Sequence, residues 1–187
     1  MKANKNKYFK AAKVETDTLV VYFSAKGFQA NGMLTKGNTA IAAEIISKEL
    51  NADLFELVSN DKHYPDDYRP LLEISKKDIE SNARPMYQED VPDFAKYKKV
   101  FIGGPAWFFY WPMINYTFLD NHDLTNKTLV PFATHAGSGL KWIDDHLIEM
   151  YPNNKVLKGI SINGYDTQAD KEHVKKVVKH WLNEIQG

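Results

Sequence analysis

Apolar residues fall along this chain in two ways, as short unbroken runs and as helical repeats. Leu19-Val20-Val21-Tyr22-Phe23 is a β-branched and aromatic run of the kind that forms a buried strand. From Asn38 the spacing turns helical, with Ile41, Ile45, Ile46 and Leu50 on one side and Glu44, Lys48 and Glu49 on the other. Ala52 to Val58 predicts a second strand, and Leu71 to Ser81 a second helix. Strands are then expected at Lys99–Gly103, Thr128–Thr134 and Val156–Ile162. Helices are expected between and after them at Met113–Asn121, Leu140–Met150 and Lys171–Ile185. In the last two, Leu140, Ile143, Leu147 and Met150, and then Val174, Val177, Val178, Trp181, Leu182 and Ile185, share a face.

Strands alternating with helices imply an α/β fold, a parallel sheet covered on both faces by right-handed crossovers. Such sheets bind ligands beyond the carboxyl ends of their strands, at the point where the winding reverses. Three glycine-containing stretches follow the first, third and fourth strands, so they are the candidates. Residues 1–17 are rich in Lys and Asn, lack the apolar core of a signal peptide and read as a loosely packed polar arm. Residues 18–187 are long enough for a single domain around one core.

Composition removes several classes of function. Lys plus Arg and Asp plus Glu balance at 24 each, so no basic excess supports a nucleic-acid partner. Cysteine is absent, which excludes disulfides, thiolate metal sites and cysteine nucleophiles. No apolar run approaches the roughly 20 residues of a membrane helix, so no membrane partner is expected. A cytoplasmic location is the expectation. None of the six histidines shows metal-ligand spacing, and the acidic segment Asp61–Asp67 reads as surface loop.

The first glycine stretch ends Thr35-Lys36-Gly37-Asn38-Thr39, where a loop enters a helix. Free amides and the helix dipole make that point an anion site. Gly37 allows close approach, and Asn38 and Thr39 add side-chain donors; helix capping is the competing use of both. Gly32 and Gly37 have P-loop spacing, but Asn38-Thr39 stands where Lys then Ser or Thr is required, which argues against a triphosphate. The second stretch, Gly104-Pro105-Ala106-Trp107-Phe108-Phe109-Tyr110-Trp111-Pro112, puts aromatics where loops are usually polar. Trp107 and Phe108, just past the strand, suit a flat apolar ligand. Trp111 and Pro112 are assigned to the next helix and its packing. The third stretch is Thr134-His135-Ala136-Gly137-Ser138-Gly139. It is not a hydrolase elbow, because Ala136 stands two before Ser138 where glycine is needed. It reads as a flexible strand-to-helix turn wrapping a ligand edge, with His135 hydrogen-bonded inside the loop.

Together these stretches resemble the flavodoxin-like family, and its bacterial FMN-binding branch in particular. That branch reads roughly Y-F-S-x-T-G-N-T, then G-x-P-x-W-W, then T-H-G-G-S-G. The matching residues are Tyr22-Phe23-Ser24 with Gly37-Asn38-Thr39, Gly104-Pro105-Ala106-Trp107-Phe108, and Thr134 to Gly139. Tyr64-Pro65-Asp66-Asp67-Tyr68 is also similar to that branch. The resemblance implies a flavodoxin-like three-layer sandwich with a five-stranded parallel sheet in the order 2-1-3-4-5. It implies FMN, with the phosphate on Ser24 and the turn Lys36, Gly37, Asn38 and Thr39. The flavin ring would lie against Pro105, Ala106, Trp107 and Phe108, edged by Thr134, His135, Gly137, Ser138 and Gly139. Two features depart from the pattern: about ten added residues, Ala25 to Leu34, expected as a flap or partner surface, and Lys36 in place of threonine.

Three functions are compatible with these residues. The first is electron transfer through non-covalently bound FMN, to a redox partner protein or a small-molecule acceptor. The second is an NAD(P)H-dependent reductase acting on quinones or other small acceptors. The third is a structural or regulatory domain without flavin.

Overall fold

The computed structural model describes residues 6–139 and 141–186. Its first half runs β1 (Phe9–Lys10), β2 (Thr18–Phe23), β3 (Gly27–Gln29), β4 (Gly32–Leu34), α1 (Asn38–Leu50), β5 (Asp53–Leu57) and α2 (Tyr68–Glu80). The second half runs β6 (Lys99–Pro105), α3 (Met113–Asn121), β7 (Thr128–His135), α4 (Lys141–Met150), β8 (Lys155–Val156), β9 (Ile160–Asn163), α5 (Gly164–Ala169) and α6 (Lys171–Gln186). Leu140, the expected start of the fourth helix, lies outside the described residues, as do residues 1–5 of the arm.

The main sheet has the order β1-β5-β2-β6-β7, with β8 and β9 both alongside β7. For the five expected strands this is 2-1-3-4-5, all parallel. Side chains alternate across β2: Leu19, Val21 and Phe23 enter one core beneath α2, α3 and α4, and Val20 and Tyr22 enter the other beneath α1 and α6. Burial of Leu19, Val20, Val21 and Phe23 contributes about 1.5–3 kcal/mol each. No helix among the described residues is long and apolar enough to cross a membrane.

Three differences from the sequence expectation have local causes. The arm is not loose throughout, since β1 pairs antiparallel with β5 and Tyr8 and Phe9 pack on the core. Asp53 anchors it, accepting from Ala12 N–H at 2.7 Å while also binding Lys96 Nζ at 2.8 Å and Tyr97 Oη at 2.7 Å. Burial pushes the Asp53 carboxyl upward, but these donors outweigh it and hold it below the usual carboxylate range. Residues Ala25 to Leu34 form the antiparallel hairpin β3–β4 rather than a plain loop. The fifth strand is split because side chains take the backbone groups of its middle. Trp181 Nε1 donates to Lys158 O at 2.8 Å, and Gly159 N–H donates to Asp144 Oδ2 at 3.3 Å.

Asp144 is costly at that break. Its Oδ1 is buried without a partner among the described residues, and burial pushes its carboxyl up to about 6, against the opposing Gly159 N–H. The folded state therefore binds this proton more tightly than the unfolded chain, whose carboxyl titrates near about 4. The contribution of this group to stability falls as pH rises from about 4 through about 6 and then levels. Asp144→Asn is expected to raise the melting temperature at about pH 8 and to leave it unchanged at about pH 4. Equal shifts at both pH values in thermal denaturation would contradict this assignment.

Candidate functional site

The carboxyl ends of β2, β6 and β7 lie side by side, so the three glycine stretches meet. At the first, Ser24 Oγ accepts from Ala40 N–H at 3.0 Å and supplies the cap that Gly37, at the N-cap, has no side chain to give. A Cβ on Gly37 would lie 2.1 Å from Ala25 O and 2.2 Å from Ser24 Oγ, so only glycine lets the chain touch itself there. The amides of Asn38 and Thr39 make no hydrogen bond among the described residues. They open a 13-residue helix, at the end whose dipole favours anions.

The side chains of this turn are used otherwise than expected. The Thr39 and Thr134 hydroxyls bond each other at 2.7 Å, and the two residues are 1% and 3% exposed. Asn38 Oδ1 accepts from Thr167 Oγ1 at 2.9 Å and from Gln168 Nε2 at 2.8 Å, tying α5 to the start of α1. Lys36 Nζ reaches along the helix to Glu44 Oε1 at 2.5 Å instead of toward the turn. Anion-binding capacity at this point therefore rests on backbone amides and the Ser24 hydroxyl.

Pro105, Ala106 and Trp107 line a cleft beside this turn, with Asn38 and Tyr68, and Thr134, His135 and Ala136 form its other side. Ala106 N–H donates to Thr134 O at 2.8 Å, joining the two walls. Trp107 is buried, its ring edge-on to Phe23 at 5.8 Å and to Tyr64 at 5.6 Å, so it is both core and cleft wall. Phe108 is not in the cleft. Trp107 and Tyr110 exchange two backbone hydrogen bonds, at 2.8 and 2.9 Å, around a two-residue turn. Phe108 and Phe109 sit at its tip with φ of 50° and 71°, and both are exposed. Bulky residues in this conformation cost about 1–2 kcal/mol each. Trp111, by contrast, is buried and donates to Phe132 O at 3.0 Å, just ahead of α3.

In the third stretch only Thr134, His135 and Ala136 reach the cleft. Gly137, Ser138 and Gly139 turn outward, and Cβ atoms at the two glycines would meet nothing within 4 Å. Gly137 N–H donates to His135 Nδ1 at 2.9 Å. Burial lowers the His135 imidazole below its ordinary range, opposed by Asp166, so the ring is neutral with its proton on Nε2.

Tyr68, Gly164 and Tyr165 line the cleft from outside every candidate stretch of the sequence, while Gln29, Ala30 and Asn31 fall in the Ala25–Leu34 segment expected as a flap or partner surface. Gln29, Ala30 and Asn31 belong to the hairpin, and Gly164 and Tyr165 to α5. Asn163 gave a signal for α5, since its side chain caps the helix by accepting from Tyr165 N–H at 3.0 Å. With the hairpin in place the cleft holds about 100 Å³.

A doubly wound sheet in this order, with open amides at a helix start and a partly apolar cleft at its switch point, defines an α/β protein of the flavodoxin type. The chain belongs to the Flavodoxin family, whose model matches residues 17–185. Similar solved structures include a Bacteroides eggerthii protein assigned as a flavoprotein, at 27% identity and TM-score 0.69, covering 91% of this chain and 98% of that one. A Bacteroides uniformis protein, also assigned as a flavoprotein, has 29% identity and TM-score 0.65, covering 91% and 99%. A Lactobacillus acidophilus flavoprotein in complex with FMN has 26% identity and TM-score 0.62, covering 82% and 96%. No curated protein matches the chain.

The Thr39–Thr134 bond is the buried link between the first and third stretches, which makes it testable by stability. Thr134→Val strands the Thr39 hydroxyl and is expected to cost about 1–3 kcal/mol, as is Thr39→Val. The double variant is expected to lose less than the sum of the two, because neither hydroxyl then remains unpaired. Additive losses in denaturant unfolding would mean the two hydroxyls act independently.

Proposed function

We propose that this chain binds FMN non-covalently in the cleft and serves as an electron-transfer protein. The observation that carries the reading is the pair of unpartnered amides at Asn38 and Thr39, set beside the Pro105–Trp107 wall and the Thr134–Ala136 edge. The donor set fits the cofactor: backbone amides and a hydroxyl for a phosphate, an apolar wall for a ring. The FMN complex of the Lactobacillus acidophilus flavoprotein supports it.

FMN, when bound, supplies the redox chemistry. The chain's part is to bind, orient and exclude water. Asn38 and Thr39 N–H groups and Ser24 Oγ hold the phosphate. Pro105, Ala106 and Trp107 give the ring a rigid face, stiffened because Trp107 is itself packed against Phe23 and Tyr64. His135 accepts a hydrogen bond through Nδ1 from its own loop, so it shapes the edge of the site rather than relaying a proton through that atom. The partner of such a site would be a redox partner protein or a small-molecule acceptor.

The purified protein is expected to be yellow, with flavin absorbance that NADH or NADPH alone does not bleach and a separate reductase does. Rapid bleaching by the nicotinamide alone would replace the carrier with a reductase enzyme. Ala106→Trp fills the cleft and is expected to weaken FMN binding at least about tenfold, a loss of about 1.4 kcal/mol, with an unchanged far-UV circular dichroism spectrum. Unchanged FMN affinity in that folded variant would place the ring elsewhere.

A further inference from the structure

The hairpin β3–β4 crosses the cleft and is held differently at its two ends. Its base is built in. Phe28 N–H donates to Asp66 O at 2.8 Å, a Cβ on Gly27 would lie 2.4 Å from that same oxygen, and Leu34 is 6% exposed. Its tip is held by side chains alone, at a partly exposed surface. Asn31 Nδ2 donates to Gly164 O at 3.0 Å, and Tyr165 Oη donates to Ala30 O at 3.3 Å. The Asn31 and Asn38 carboxamides bond reciprocally at 3.3 and 3.4 Å, which sets Asn31 against the first turn of α1.

The tip therefore sits against the side chain that opens α1, beside the turn that the proposed function assigns to the phosphate. The cleft beneath it is partly open to solvent and holds about 100 Å³, well short of the roughly 300–1,000 Å³ of ligand pockets that bury a drug-sized molecule. A flavin mononucleotide enters only if the tip lifts. The base cannot move without exposing Leu34 and breaking a backbone hydrogen bond, whereas the tip is released by losing side-chain bonds that water can replace.

We propose that the β3–β4 hairpin is a strap over the cofactor cleft, hinged at Gly27 and Asp66 and latched on α5 by Asn31 and Tyr165, and that latch opening sets the rate of cofactor entry. This rests on the reading of the cleft as an FMN site. Asn31 and Tyr165 are positioning residues, acting on the ligand through the strap. Because the latched tip leaves too little room for the cofactor, latching competes with binding. Loosening it speeds entry, leaves exit from the open state nearly unchanged and tightens apparent binding in the same proportion.

Stopped-flow quenching of FMN fluorescence by the apoprotein measures both rates. Tyr165→Phe and Asn31→Ala are each expected to raise association about three- to tenfold, with dissociation moving less than about twofold and the dissociation constant falling as association rises. Hydrogen exchange at residues 29–32 of the ligand-free protein is expected to quicken in both variants while the Phe28 amide stays protected. The absence of cysteine allows the converse test. Ala30→Cys with Tyr165→Cys, joined by a short bis-maleimide, is expected to take up FMN at least about tenfold more slowly than the unjoined double variant. FMN binding with rates unchanged in the latch variants and in the cross-linked protein would overturn the strap and leave the FMN site standing. Absence of any quenching by the wild type would overturn the FMN site, and the strap with it.

Discussion

Everything at the site depends on one close contact, between Gly37 and the Ser24–Ala25 segment. The chain leaves β2 at Ser24, makes an excursion, and returns to touch its own exit point before entering α1. A side chain at position 37 would overlap Ala25 O and Ser24 Oγ, so the contact exists only because that residue is glycine. Once the two ends are pinned, the length of the excursion has little effect on the geometry of the helix start. Ser24 caps the third residue of α1, and the first two amides stay open. An insertion into this loop therefore leaves the anion-binding turn as it is and places new structure above it.

The side chains around that turn act as struts. Thr39 joins the first strand end to the third through Thr134, Ala106 N–H joins the second to the third, and Asn38 gathers α5 and the hairpin tip. The Thr39–Thr134 bond is buried, where an unmade partner is costly, and with the Ala106–Thr134 bond it holds those walls of the cleft in one arrangement before any ligand arrives, whereas the Asn38 bonds are only partly buried. Residue types expected to bind the ligand directly instead fix the backbone of the proposed site.

Strong periodic signals were legible in the sequence. The unbroken run Leu19–Phe23 and the repeat from Val174 to Ile185 each admit one reading, and the structure has β2 and α6 in those places. Short elements left no such trace. β1 has two residues and forms because β5 offers an open edge, which is a tertiary fact. The hairpin has three residues per strand and is held by Asp66 and α5, neither near it in sequence. At the site, the meeting of the three loops followed from the winding of the sheet. The direction of each side chain did not. Phe108 faces solvent because the backbone takes positive φ without a glycine to announce the turn, and Thr39 is buried by a partner 95 residues away.

Comparing FMN with riboflavin isolates the turn at Gly37, because the two ligands differ only in the phosphate. Fluorescence titration of the apoprotein is expected to show FMN bound at least about tenfold more tightly, since hydrogen bonds to a charged group contribute about 1.5–3 kcal/mol. Equal affinity for the two would contradict the account, because the start of α1 would then hold no phosphate.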